Sequence, residues 1–108
     1  MPRYAFEEGV FHIDAVPGQP QMAHCHGFVV FQEKRGQGNG HVLKKHQMAL
    51  LRAGKFDFAT CTVAAGNRPQ ITILTQAGWD WLAEFRNAST GNITHLFGWH
   101  VDQAGEKP

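Results

Sequence analysis

Apolar and polar positions alternate with a period of two from Gly9 to Val16, where Phe11, Ile13 and Ala15 interleave with His12 and Asp14. That is the pattern of a half-buried strand, and Pro17, Gly18 and Pro20 close it. From His26 to Lys34 the apolar residues occupy both parities, Phe28 and Val30 on one side and Val29 and Phe31 on the other, as in a central strand covered on both faces. Arg35 to Gly40 reads RGQGNG, too rich in glycine to hold a regular element. A helix follows over 41–53. On its wheel Val42, Leu43, His46, Ala49, Leu50 and Ala53 share one side, Lys44, Lys45, Met48 and Arg52 the other, with Gly54 at the C-cap.

Phe56 to Ala64 and Gln70 to Leu74 read as two strands of a hairpin, rich in Thr, Phe, Ile and Val and joined across Ala65, Gly66, Asn67, Arg68 and Pro69. Thr75 is a good N-cap, flanked by Leu74 and Trp79 in the positions of a hydrophobic staple. The spacing predicts a second helix there, burying Gly78, Trp81, Leu82 and Phe85 and leaving Asp80, Glu84 and Asn87 in water. Phe97, Trp99 and Val101 then alternate as a last strand, and residues 102–108 read as a frayed tail. The resulting order, β-β-α-β-β-α-β, predicts one α+β domain over 1–108, a mainly antiparallel sheet with two packed helices.

At 108 residues the chain is long enough for one apolar core. Ten Lys and Arg against nine Asp and Glu leave a net charge of +1, so any basic site must arise by local clustering. Cys25 and Cys61 are too few for a disulfide framework. Nothing resembles a signal peptide, and no apolar run approaches the roughly 20 residues that span a bilayer. The expectation is a reduced, cytoplasmic protein with no membrane partner.

The basic glycine loop is the main candidate for chemistry. The first N–H groups of a helix have no intrahelical partner, and a glycine loop feeding them can wrap an anion. Gly36, Gly38 and Gly40 would let the backbone approach, while Lys34, Arg35, Lys44 and Lys45 add positive charge. Neither the Walker pattern nor the dinucleotide fingerprint is complete, which argues against nucleotide processing. No cofactor and no catalytic residue is assigned. His24 and His26 share one strand face and could ligate a metal, but the acid that a cupin-type motif needs is missing, since Val30 and Phe31 stand in its place. Cys25, flanked by those histidines, has neighbours that point to the opposite face, and Cys61 reads as an inert buried thiol.

The segment 42–85, with LLRAGKF, a hairpin and then ILTQAGWDWLAEF, resembles the recognition-helix, wing and helix half of winged-helix DNA-binding domains. Leu50, Leu51, Gly54, Leu74, Thr75 and Gly78 carry the likeness. It implies that Lys44, Lys45, Met48 and Arg52 face the major groove and that Asn67 and Arg68, at the wing tip, contact phosphate.

The expectation is thus a small non-enzymatic, nucleic-acid-associated regulator that contacts phosphates or another polyanion through this loop and helix. Two alternatives stand beside it. One is a protein-interaction module, a small inhibitor or accessory factor, or a homodimer with Trp79 as first contact. The other is a metal-dependent enzyme built on His24 and His26.

Overall fold

The computed structural model describes residues 2–101. The tail expected to fray over 102–108 lies outside the described residues. The elements are β1 (Arg3–Ala5), β2 (Gly9–Val16), β3 (Gln19–Val30), a 3-10 turn (Gln32–Lys34), α1 (Asn39–Ala53), β4 (Phe58–Ala64), α2 (Arg68–Gln76), β5 (Asp80–Arg86) and β6 (Ile93–His100). They form a six-stranded sheet in the order β1-β2-β3-β4-β6-β5. Every neighbouring pair is antiparallel except β3 and β4. The α+β class, with a mainly antiparallel sheet and two packed helices, is as the patterning predicts.

Two elements exchange identity relative to that patterning. Residues 70–74, expected as a strand, lie in α2, and the expected helix after Thr75 is instead the edge strand β5. The start signal of α2 lies earlier than Thr75: Asn67 is the N-cap, its Oδ1 accepting from the Gln70 N–H at 3.3 Å, with Pro69 in the first turn. Ile71 and Leu74 then fall three apart and face the core. Trp81, Leu82 and Phe85 mimic a helical stripe, yet β5 is exposed along its whole length and those three side chains are about half exposed. The observed order is β-β-β-α-β-α-β-β.

Both helices pack on one face of the sheet. Phe11, Ala23, Ala59 and Phe97 from four strands meet Leu43 and Leu51 of α1 and Leu74 of α2 in one buried cluster. By strand alternation, His12 and Asp14 of β2 and His24 and His26 of β3 stand on the opposite face. Their contacts agree: His12 stacks on His26 at 5.0 Å and His26 reaches Asp14.

Candidate functional site

The parallel strands β3 and β4 are paired only from Met22 to His24 and from Phe58 to Thr60. Beyond that point both still pair with their outer neighbours, β3 with β2 and β4 with β6, while their inner edges part into a wedge. Backbone groups along those edges have no ladder partner in the wedge. A bulge in β3 shapes one wall. Gly27 has φ +65°, and the register against β2 slips between Val10 and His12. An added Cβ on Gly27 would sit 2.7 Å from His12 Nδ1, so glycine is required there for space as well as for backbone angle.

The deep end of the wedge is a cavity of about 260 Å³, bounded by Cys25 to Phe28, by Cys61 to Ala64, and by Lys44 and Gln47 of α1. It adjoins a larger cavity of about 740 Å³ that runs past Val30 to Arg35, Gly36, Gly38 and Gly40. Phe28, Asn67 and Gln70 line both. A long, narrow ligand could therefore lie with one end at the glycine loop and the other between the strands.

The loop itself is held by its own side chains. Arg35 Nε donates to Val30 O at 3.0 Å and Asn39 Nδ2 to Lys34 O at 2.9 Å. Gly38 is the N-cap of α1 in the left-handed region, φ +80°, and supplies no side-chain cap. The hydrogen-bond ladder begins with His41 and Val42 donating to Gly38 O, so the earlier N–H groups at this end are available to a ligand. Gly40 is where α1 meets α2, since a Cβ there would stand 2.5 Å from Ile73 Cδ1.

The residues singled out from the sequence divide into separate places. Gly36, Gly38, Gly40, Arg35 and Asn67 line the larger cavity. Lys34 lies 3.6 Å from Glu7. Lys45 is exposed on α1, and the Arg52 guanidinium stacks 5.3 Å from the Trp99 ring, toward the other end of the helix. Asn67 and Arg68 open α2, so there is no wing for them to tip. Trp79, the expected dimer contact, is 3% exposed and stacked on Trp99.

Lys44 departs furthest from its expected place. The wheel put it in water, but α1 buries Leu43, Lys44, Gln47, Met48 and Leu51 and leaves Val42 exposed. The helix is rotated because its inner face is chosen by packing against β2, β3 and α2, and its apolar stripe is too weak to oppose that choice. Lys44 Nζ donates to Gln47 Oε1 at 2.7 Å and lies over the rings of Phe28 and Trp79, at 4.5 and 4.7 Å. Burial pushes its pKa down.

On the opposite face, His26 Nε2 and Asp14 Oδ2 are 2.6 Å apart, and His24 Nδ1 is 2.8 Å from Thr60 Oγ1. His24 and Thr60 are the last residues paired between β3 and β4 before the strands part, which puts both bonds beside the apex of the wedge. Burial, then the neighbouring His26, push the His24 pKa down, with Asp14 opposing. Among the described residues no group of three or more His, Cys, Asp and Glu is arranged to hold a metal ion. The thiols of Cys25 and Cys61 are free and buried, and desolvation pushes Cys25 up to about 12 and raises Cys61. The sequence reading passed over Gly27, Gln47 and the Asp14–His26 pair. The signal for the last was present as alternation in both strands, but their register was not.

No protein-family model matches the chain, and no curated protein does. Solved structures do. The chain is similar to the ribosomal-protein-S18-alanine N-acetyltransferase of Escherichia coli, with TM-score 0.74 and 17% identity over 92% of this chain and 64% of that one. It is similar to an acetyltransferase of the GNAT family from Streptococcus pneumoniae, with TM-score 0.73 and 13% identity over 86% and 59%. A Salmonella typhimurium protein solved with its cofactor acetyl-CoA gives TM-score 0.76 and 12% identity over 87% and 58%. The chain thus spans about three fifths of the length of these proteins.

These likenesses correct the winged-helix reading. The apparent match over 42–85 came from a leucine-rich helix end and a Leu-Thr-x-x-Gly string, whose second half is the end of α2 and the turn into β5. With it go the DNA-binding regulator and the two alternatives set beside it, the protein-interaction module and the metal-dependent enzyme on His24 and His26. Among the described residues no helix is long and apolar enough to cross a membrane. The fold of this chain, a mixed six-stranded sheet with two helices packed on one face, is similar to that of these acetyltransferases, one of them of the GNAT family.

Proposed function

We propose that this chain is an acyltransferase that moves an acyl group from a coenzyme A thioester to an amine. The observation that carries the reading is the wedge, two neighbouring parallel strands that part after His24 and Thr60 beside the glycine-rich N-terminus of α1. The E. coli neighbour is named as an N-acetyltransferase and the Salmonella neighbour was solved with acetyl-CoA; both support it. A cytoplasmic setting, in keeping with two free thiols, belongs to the same reading.

The residues present fit such a ligand. Gly36 and Gly38, at φ +77° and +80°, have open space where a Cβ would stand, so a diphosphate can approach the backbone. The first N–H groups of α1 and the Arg35 guanidinium would hold that anion. Along the wedge, the unpaired edges of β3 and β4 would bond the amides of the ligand's arm as an added strand would. When bound, coenzyme A supplies an acyl carbon activated by a thiol leaving group.

The chain's own contribution to the chemistry is positioning and proton transfer. The amine's nitrogen bonds to the acyl carbon while the carbon–sulfur bond breaks. His26 takes the amine's proton, which passes on to the departing sulfur. Asp14, 2.6 Å from His26 Nε2, orients the imidazole and balances the charge it gains. Bulge donors near Gly27, not committed to the ladder, would hold the acyl oxygen.

Isothermal titration with acetyl-CoA is expected to give one saturable site, lost in Gly38→Asp, which places a carboxylate where the diphosphate would lie. No heat and no melting shift at about millimolar thioester, a free energy near 4 kcal/mol, would end the proposal.

A further inference from the structure

Lys44 is 2% exposed, yet among the described residues it has no carboxylate within ion-pair reach. Its surroundings are the thiols of Cys25 and Cys61, the rings of Phe28 and Trp79, and the Gln47 side-chain oxygen. Burying a lysine without an acid is costly, and proteins rarely retain one without a use. The amide of Gln47 compounds the cost, because the residue is fully buried and its Nε2 has no partner. The Trp79 ring that lies 4.7 Å from Nζ also carries an unpartnered, buried Nε1. The donors of Lys44 and Gln47 are therefore in surplus at one spot, and among the described residues no acceptor with negative charge answers them.

That spot is the deep end of the wedge. Lys44 and Gln47, one helical turn apart on α1, line the cavity of about 260 Å³ with Cys25 and Cys61 across from them. Cys25 and Cys61 each follow the last residue paired between β3 and β4, His24 and Thr60. Under the acyltransferase reading, on which this inference rests, the glycine loop marks the diphosphate end and the apex marks the acyl end. We infer that Lys44 Nζ and Gln47 Nε2 recognise a terminal carboxylate on the acyl group, so that the preferred donor is a short dicarboxylic acyl thioester, of the malonyl or succinyl class, over acetyl. Two oxygens meet two donors, and the cation gains the partner it lacks. A carboxylate there also restores the proton affinity that burial removes from Lys44.

The test is titration calorimetry of the intact chain with acetyl-CoA and succinyl-CoA, for wild type, Lys44→Met and Gln47→Glu. Wild type is expected to bind succinyl-CoA roughly tenfold more tightly, as one charged hydrogen-bonded contact predicts. The preference should vanish in Lys44→Met, which removes the cation. It should also vanish in Gln47→Glu, which supplies the missing acid from within, and melting curves establish that both variants fold. A third arm adds free glutamate to the acetyl-CoA complex. If wild type binds the two thioesters alike, or the preference survives Lys44→Met, the inference is overturned while the acyltransferase reading stands. If Lys44→Met instead abolishes glutamate binding, the carboxylate belongs to the amine acceptor and the acyl assignment is overturned. If neither thioester binds, both readings fall together.

Discussion

His26 Nε2 lies 2.6 Å from Asp14 Oδ2 along the diagonal of the β2–β3 ladder, where Asp14 is register partner to His24 and His26 to His12. Diagonal neighbours on one face are within reach of long side chains, and the bond points the imidazole at a defined angle beside the wedge. If His26 is the proton acceptor, His26→Ala should lower kcat by about 100-fold and Asp14→Asn by roughly tenfold, the usual scale for a general base and its orienting partner. Steady-state rates with a saturating thioester and a series of amines provide the check. Equal rates for wild type and His26→Ala would remove the residue from the reaction.

Two glycines offer a contrast in backbone against side-chain crowding. A Cβ on Gly9 would stand 2.1 Å from Val29 O, and one on Gly98 would stand 2.5 Å from Phe58 Cζ and 2.6 Å from Leu82 Cδ1. The first obstacle belongs to the β2–β3 ladder beside the bulge and cannot move without breaking pairs; the second is the ends of two side chains. Gly9→Ala should therefore cost about 3 kcal/mol or more and Gly98→Ala about 1 kcal/mol, the range for overpacking. Urea unfolding measures both, and the reverse ordering would contradict this account.

Much of the frame was legible from alternation alone. Phe11 and Ile13 against His12 and Asp14 gave β2 its inner and outer faces, and Gly54 ended α1 where expected. The failures have separate physical causes. In α2 the β-branched string Ile71-Thr72-Ile73 outweighed the Asn67 cap and Pro69 in a reading by propensity, whereas in the fold the cap and the burial of Leu74 prevail. In β5 an edge strand left Trp81, Leu82 and Phe85 exposed, a state that periodicity cannot separate from a helical stripe. The wedge was not legible because it is made by the end of a pairing between strands 36 residues apart, as Met22 and Phe58 are. Lys44 was misplaced because a lysine defaults to water unless packing dictates otherwise.

The thiols provide a direct probe of the wedge. Burial raises Cys61 and pushes Cys25 up to about 12, so almost no thiolate exists near pH 8. Native protein should leave both cysteines unmodified by iodoacetamide at that pH over a time in which the urea-unfolded chain is fully alkylated. Mass spectrometry counts the adducts. Rapid native labelling of either residue would mean that the wedge opens far more readily than its packing implies.

Lys44 links stability to pH with a sign that can be worked out. Its pKa is lowered on folding from an ordinary 10.5, so between the folded value and 10.5 the unfolded chain holds more protons and stability rises with pH. The cost of burying the ammonium is fully felt below the folded pKa and gone above about 10.5. Lys44→Met removes that cost at every pH, and near neutrality it should stabilise the ligand-free chain by on the order of 1–3 kcal/mol. Its advantage over wild type should then shrink as pH climbs. Cys25 and Cys61, which face Lys44 from β3 and β4, act the other way: their raised values make stability fall with pH from 9 toward 12, the value to which Cys25 is pushed. Because both variants keep the thiols, comparing denaturation curves of wild type and Lys44→Met at pH 7, 8.5 and 10 isolates the lysine to first order. A gap that stays constant or widens over that range would mean that folding does not lower the Lys44 pKa, so that its charge is already compensated, and the carboxylate it is inferred to await would have nothing to neutralise.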